Sequence, residues 1–418
     1  MARLVQKFGG TSVADVSKIM KAAEIAVQAA NEGHEVTTVI SAMGHTTDHL
    51  VSLAEQIFPE VGRRSAREMD MLLATGEQVS IALMSMAIQS LGYQARSFTG
   101  AQAGIITESQ HGVAKIQEIH SERLESSLAR GEIAVVAGFQ GVTENNELTT
   151  LGRGGSDTTA VALSAALGAD RCDIYTDVRG VFTADPRIIP EARRLPSVSY
   201  EEMLELAATG AQVMNARSVE LAMDNQVQVR VRSTFEPQDQ GTLITHRVSS
   251  PEYTIAGIAC DMNSCVITLK TPTNLEGVNP LEGVSALFTR LQELGIQTDM
   301  VMVLKHEDEP SQELAFTMEK VSLPRVQQLI EALALTLGNP LMQVETDIAK
   351  VSVVGRRLTS RPEVVAGVFE TLSSANIPVQ MVATGDMRIS VLMPAKHGRD
   401  AVKLIHKRFN LAEGTFTA

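Results

Sequence analysis

Short β-branched runs alternate with stretches of helical periodicity through the first part of the chain, the pattern of βαβ units. The predicted strands are "RLVQKF", "EVTTVISAM", "EIAVVAGF", "CDIYTD" and "VQVRVRS". Between them the apolar period lengthens to that of amphipathic helices, among them Asp15 to Asn31 and Ser156 to Leu167. Each strand ends in a loop containing glycine or serine, which is where open α/β sheets place their ligands. After "VQVRVRS" the texture changes, and Pro237, Gly241 and Pro251 among polar residues mark a boundary.

Beyond that boundary lies a faint internal repeat. Phe288, Leu291, Ile296 and Met300 recur as Phe369, Leu372, Ile377 and Met381 at a constant offset of about 81 positions. Each copy reads as strand, loop, helix, then a pair of strands. The shared order points to duplication of a small α+β unit.

Composition narrows the class. At 418 residues, with 44% hydrophobic and 20% charged residues, the chain has core enough for two or three globular domains. A net charge of −13 argues against a general nucleic-acid binder and against adsorption to anionic membranes. It leaves room for a small anion held in a locally basic pocket. No secretory signal and no apolar run near the roughly 18 residues of a membrane span are read. The three cysteines form neither a disulfide framework nor a metal pattern, so reduced thiols in a cytoplasm are expected.

Four stretches carry candidate chemistry. In "KFGGTSV" a strand breaks at Gly9 and Gly10, with Lys7 before and hydroxyls behind. Glycines admit close backbone approach and a helix N-terminus attracts anions, so the pattern serves either a phosphate site or a strand–helix turn with a chance lysine. In "SAMGHTTDHL", His45 and His49 fall at helical i,i+4 spacing with Asp48 nearby. Without a third ligand or an "HExxH", these read as solvated or structural histidines rather than a zinc site. In "GRGGSDTTA", Arg153 precedes two glycines, and Ser156 and Asp157 are expected to cap a helix of small apolar residues. The alternative chemistry there is a second anion cradle with a fixed guanidinium. "TDVRGVFTADPR" is a strand end rich in turn residues. Two anion sites in one α/β domain favour joining a phosphate donor to an anionic acceptor by positioning and charge neutralisation.

Taken together and in this order, "KFGGTSV", "SAMGHTTD", "ATGEQVS", "GRGGSDTTA" and "TDVRGVFTADPR", followed by a duplicated tail, resemble the aspartate kinases over nearly the whole chain. The resemblance implies an α/β amino-acid-kinase open sheet with helices on both faces over residues 1–243. It implies two α+β ACT (ferredoxin-like) units after it, 250–340 and 341–418, of a kind in which one is commonly inserted in the other. It further implies ATP-dependent conversion of L-aspartate to 4-phospho-L-aspartate at the start of lysine, threonine and methionine biosynthesis. Mg²⁺ would bridge phosphates with few or no protein ligands, an amino-acid effector could bind the ACT units, and a homodimer or larger oligomer would form through them.

Carried over position by position, the resemblance gives Lys7 the transferring phosphoryl group, Gly9 and Gly10 backbone approach, and Asp157 the orientation of Lys7. Ser41 falls at the phosphates and Thr47 near the substrate. Glu77 would pair with the aspartate ammonium, its alternative being an ordinary helix-surface carboxylate. Arg153 would hold the α-carboxylate with Ser156 nearby, and Phe139 would wall the pocket. Thr176, Asp177, Phe182, Asp185 and Arg187 resemble the nucleotide side. The chain departs from the family at Phe182, commonly tyrosine, and at Gln212, commonly lysine. In the tail, Asn279, Glu282, Val303 and Leu304 replace the aspartate, glycine and amide pair that hold lysine or threonine. "ATGD" (Ala383 to Asp386) and Pro378 replace polar residues of the second unit. Weak or absent inhibition by lysine and threonine is therefore expected. The competing readings are another amino-acid kinase, for N-acetylglutamate or glutamate, and an inactive ACT sensor.

Overall fold

The computed structural model describes residues 2–60, 64–211, 213–246, 254–272, 280–306 and 311–413; Gln212, Pro251 and Asn279 lie outside the described residues. The chain divides into two units, Met1–Thr183 with Arg193–Glu252, and Ala184–Ala192 with Tyr253–Ala418.

In the first unit the elements run β1 (Arg3–Phe8), α1 (Val16–Asn31), β2 (Glu35–Ile40), α2 (Thr46–Ile57), α3 (Ala66–Leu73), α4 (Thr75–Ser90), β3 (Ala95–Phe98), β4 (Ile105–Thr107), β5 (Ile116–Ile119), α5 (Glu122–Ala129) and β6 (Ile133–Ala137). There follow β7 (Gln140–Val142), β8 (Leu148–Thr150), α6 (Gly155–Ala166), β9 (Arg171–Thr176), β10 (Ser197–Ser199), α7 (Tyr200–Ala208), α8 (Ala216–Asp224), β11 (Val229–Ser233) and β12 (Thr242–Thr245). The main sheet has the order β10-β12-β11-β9-β1-β2-β6-β3, parallel except where β11 meets β12. Its central strands β1, β2, β6 and β9 are buried at most positions because both faces are covered, β6 being apolar and buried throughout. Leu4, Phe8, Val36, Ile40, Ile133 and Val135 pack with Ile81, Met84 and Ile88 of α4 and the apolar face of α1. The alternate residues, Val5, Val39, Ala134 and Val136, are equally buried on the other face, where small residues let α6 lie close to β1.

α1 starts one residue later than its expected range, because Asp15 caps it by accepting from the Lys18 amide (2.9 Å). By length and composition Ala66–Ser90 would suffice to cross a membrane, yet half of its most apolar window is buried in the protein. A second sheet, β5-β4-β7-β8, is made of three- and four-residue strands too short to show any period in the sequence.

The second unit interleaves its repeats. β13 (Ile255–Asp261) is followed by β14 (Ser264–Pro272), α9 (Pro280–Glu293), β15 (Thr298–His306), β16 (Ser311–Glu319), α10 (Leu323–Ala332) and β17 (Leu341–Glu345). Then come β18 (Ile348–Gly355), α11 (Pro362–Ser374), β19 (Met381–Thr384), β20 (Arg388–Pro394) and α12 (Ala395–Arg408). The sheets are β15-β16-β14-β17 and β13-β18-β20-β19. β13 therefore serves the second repeat, and the first is inserted between it and β18. This corrects the linear division at 340 and 341, since β17 begins at 341 yet pairs with β14. β12 likewise runs to Thr245, past the expected end at 243. The repeated positions are buried alike: Leu291 and Leu372, Ile296 and Ile377, Met300 and Met381.

Period-2 alternation explains how the inserted sheet is covered twice. Cys265, Ile267 and Leu269 of β14 face the core built with α9 and α10, while Val266 joins Met300, Ala315, Ile348, Met381 and Leu392 of both sheets. A charged cluster crosses the same junction. Asp299 takes Lys350 Nζ on one oxygen and Arg388 on the other, each at 2.6 Å. Burial pushes the Asp299 carboxyl up, and the neighbouring Lys350 and Arg388 charges more than offset it, so the net shift is down.

Candidate active site

The carboxyl ends of β1, β2, β6 and β9 lie side by side, so the loops that follow them converge at one edge of the sheet. Backbone bonds join three of these loops. The Gly9 amide donates to Tyr175 O (3.2 Å), the Ser41 amide to Phe8 O (3.1 Å), and the Gly44 amide to Gly10 O (3.0 Å). Neither Gly9 nor Gly10 adopts positive φ. Their reason is space: a Cβ on Gly10 would stand 2.9 Å from Ala42 O, and one on Gly9 would stand 3.4 Å from Lys7 Nζ. A turn of 3₁₀ helix, Gly10–Val13, follows them before α1.

Lys7 Nζ meets Asp157 Oδ1 at 2.6 Å, with both side chains about nine-tenths covered (12% and 11% exposed). Asp157 comes from the first turn of α6. The expected cap is corrected here. The N-cap is Gly154 at φ 73°, and Ser156 and Asp157 stand inside the helix. Gly154 is required twice over, by its left-handed backbone and by Asn215, whose Cβ would lie 2.3 Å from an added one. Freed from capping, the Asp157 carboxylate can reach across to Lys7.

Glu77 stands in the first turn of α4 and is only 3% exposed, so it is no surface glutamate. Its Oε1 accepts from the Ala42 amide at 3.1 Å, and its buried Oε2 has no hydrogen-bond partner among the described residues. Burial pushes its pKa up to about 7, against the lowering effect of those backbone bonds. Gly76 lets this turn approach closely, since its Cβ would lie 2.9 Å from that of Ala42 and 3.6 Å from the Thr46 methyl. Thr47, half-buried, is the next residue on α2.

Phe139 lies between β6 and β7 at φ 70°, a strained backbone for a bulky residue. Its amide is held by Thr159 Oγ1 (3.1 Å), and its ring presses on Gly155, where a Cβ would lie 2.9 Å away. Ser156, buried, packs against Gly138 in the same way. Arg153 is exposed, three residues past β8, and makes no ion pair among the described residues.

At the end of β9, Thr176 donates to exposed Asp177 (3.0 Å). Phe182 forms an isolated bridge with Arg194. Asp185 and Arg187 hold each other through paired bonds of 2.7 to 3.1 Å, and the Arg187 guanidinium holds the Asp185 carboxyl below its usual range. These two belong to the segment Ala184–Ala192 that clusters with the second unit, apart from the residues above. His45 and Asp48 form an exposed pair (3.1 Å), and His49 is exposed as well. Sequence reasoning passed over Ser12, Gly76, Gly138 and Thr234. Buried Ser12, in the 3₁₀ turn, accepts from Thr234 Oγ1 at 2.7 Å and donates to Tyr175 O (3.4 Å), tying that turn to β9 and to the residue that follows β11.

Comparison with known proteins bears on the whole chain. The amino acid kinase family model matches residues 2–233, and an ACT domain model matches 351–409. Aspartokinase of Geobacillus stearothermophilus is 45% identical over 414 residues, covering 99% of this chain and 98% of that one. The chain belongs to the aspartokinases of the amino acid kinase family. Aspartokinase 2 of Bacillus subtilis (strain 168) is also 45% identical, with 99% of each covered. Among solved structures, E. coli aspartokinase III in complex with aspartate and ADP (R-state) superposes with TM-score 0.84 at 27% identity, covering 97% of this chain and 99% of that one. The same enzyme with lysine and aspartate (T-state) gives 0.72 at 26% identity, covering 98% and 99%. An aspartokinase thus accounts for both units, the α/β sheet and the interleaved α+β repeats.

Proposed function

We propose that this chain transfers the terminal phosphoryl group of ATP to the side-chain carboxylate of L-aspartate, forming 4-phospho-L-aspartate and ADP. The observation that carries the reading is Glu77, a buried carboxylate with one unpartnered oxygen beside the Ala42 and Gly10 backbone. A buried charge of this kind requires a cation, and the α-ammonium of an amino acid supplies one. Arg153, exposed and without an ion pair among the described residues, is the complementary group for the α-carboxylate. Ser156, Thr47 and Phe139 surround the acceptor.

The phosphorus–oxygen bond to ADP breaks as one forms to the acceptor carboxylate, which is already ionised at neutral pH and needs no general base. Lys7 neutralises charge on the transferring group, and Asp157 holds the lysine in place at 2.6 Å. Gly9, Gly10 and Ser41 present backbone and hydroxyl to the phosphates, with Thr176, Asp177 and Phe182 toward the nucleotide. Among the described residues no three His, Cys, Asp or Glu side chains gather as a metal cage. A Mg²⁺ ion would be held chiefly through phosphates and water, with few or no protein ligands, and would supply charge neutralisation there. A cytoplasmic homo-oligomer joined through the ACT units completes the reading.

Purified protein with ATP, Mg²⁺ and hydroxylamine should trap acyl phosphate with aspartate and not with glutamate or N-acetylglutamate. Product with either of the latter would mean another amino-acid kinase, and none with any acceptor would leave a ligand-binding ACT protein. Regulation gives a second expected result. Val303 and Leu304 on β15 are about half exposed (49% and 45%) and aliphatic, so they offer a charged effector no hydrogen bonds. Lysine or threonine, singly or together at sub-saturating aspartate, should leave the rate nearly unchanged. Inhibition at micromolar concentrations would show that other residues of the tail form an effector pocket.

A further inference from the structure

Three of the groups assigned to the aspartate pocket, Glu77, Phe139 and Arg153, come from separate stretches of chain, yet one buried cluster lies behind them. Asp70 on α3 is fully buried and is bonded by three residues from two other stretches. Thr150 Oγ1 donates to it at 2.5 Å, His111 Nδ1 lies at 2.7 Å, and the Gly112 amide reaches both of its oxygens at 3.1 Å. Directly opposite Thr150 in the β7–β8 hairpin is Gln140. Its buried side-chain amide donates to Ala74 O (3.0 Å), at the corner where α3 turns into α4. Facing residues of one hairpin therefore grip the α3–α4 corner at two points.

Each grip lies within three residues of a pocket group. Ala74 precedes Glu77 by less than one helical turn, Gln140 directly follows Phe139, and Thr150 precedes Arg153 by three positions. The Gly112 carbonyl also backs Gly152, where a Cβ would lie 3.1 Å from it. We infer that Asp70, with Thr150 and Gln140, is a positioning cluster that sets the separation between the ammonium-binding Glu77 and the carboxylate-binding Arg153, and so tunes selection of the amino-acid acceptor. It touches no substrate itself, and the inference rests on the pocket assignment proposed above. The nucleotide residues at β9 lie outside the cluster, so its loss acts on one substrate.

The test compares Thr150→Val, which keeps shape and removes the hydroxyl, with Thr150→Ser, which keeps the hydroxyl. Thr150→Val should raise the aspartate KM about tenfold or more, the size of one lost bond to a charged group. The ATP KM should stay within about twofold, since nothing at the nucleotide end changes. Thr150→Ser should restore most of the aspartate KM, and Asp70→Asn should move it in the same direction as Thr150→Val. If Asp70→Asn does not fold, the two threonine variants decide alone. Equal changes in both KM values, or a valine variant indistinguishable from the parent, or no rescue by serine, would overturn the inference. Glu77→Gln and Arg153→Ala run in parallel: if neither raises the aspartate KM, the pocket assignment has failed and not merely the cluster behind it.

Discussion

Lys7→Ala should lower kcat by roughly 10² to 10³ while leaving both KM values within a small factor, the loss expected when one preorganised electrostatic donor is removed. The geometry explains why the effect should fall on kcat. Lys7 has a partner within the protein itself, Asp157 at 2.6 Å, so its ammonium is held in position by the fold rather than by the ligand. A group preorganised in this way costs little reorganisation when charge moves from ADP toward the new acyl phosphate. Asp157→Asn should give a smaller loss in kcat, because the lysine keeps its charge and loses only its orientation. Steady-state kinetics at saturating aspartate and ATP make the comparison. A Lys7→Ala enzyme within a few-fold of the parent would reduce the opening motif to a strand–helix turn. If Asp157→Asn exceeded Lys7→Ala in its effect, the aspartate would have a chemical role of its own.

The parts of this arrangement that local pattern could show are those set by neighbours in sequence. Five of the eight strands of the main sheet (β1, β2, β6, β9 and β11) were visible because burial concentrates β-branched and apolar residues in them, and their ends because glycine and serine break them, whereas β3, β10 and β12, of three or four residues, were not. Order along the chain, compared with a known family, then suggested roles that no single motif carries. Lys7 and Asp157 illustrate the limit: nothing in "KFGGTSV" or "GRGGSDTTA" alone says that they meet. The capping position at Gly154 was missed because Ser-Asp before an apolar run is itself a cap signature, and only the left-handed backbone at the preceding glycine moves the start. The β5-β4-β7-β8 sheet escaped because strands of three residues have no measurable period. The place of β13 escaped for a different reason. Its partner β18 lies beyond a whole inserted repeat, and pairing at that distance leaves no trace in either segment. Asp70 is the clearest loss. An aspartate among Arg67, Glu68 and Met69 reads as a solvated helix face, yet the β7–β8 hairpin and the His111 loop enclose it completely.

Glu77→Gln should make the ligand-free protein more stable at pH 8 and at the same time a poorer enzyme. Burial raises the folded-state pKa of Glu77 to about 7, well above that of a glutamate in the unfolded chain. A carboxyl raised in this way is harmless while protonated. Its cost accumulates as pH climbs from the ordinary glutamate range, about 4.3, and is complete above about 7, where it is on the order of 3–4 kcal/mol. Glutamine has nearly the same shape, can accept from the Ala42 amide as Oε1 does, and stays neutral at every pH. Melting curves should therefore nearly coincide for parent and variant at pH 4 and separate by several degrees in favour of the variant at pH 8. Aspartate reverses the balance, since its ammonium supplies the charge that the unpartnered Oε2 lacks. The parent's aspartate KM should fall as pH rises through about 7, because the ionised form binds and becomes the majority species. In the variant that KM should be higher by roughly tenfold or more and insensitive to pH in this range, with the ATP KM little changed. Aspartate should also raise the parent's melting temperature at pH 8 by more than it raises that of the variant at the same concentration. A variant less stable than the parent at pH 8, or an aspartate KM that follows the same pH profile in both proteins, would show that Glu77 is a structural carboxylate and that the acceptor's ammonium is held elsewhere.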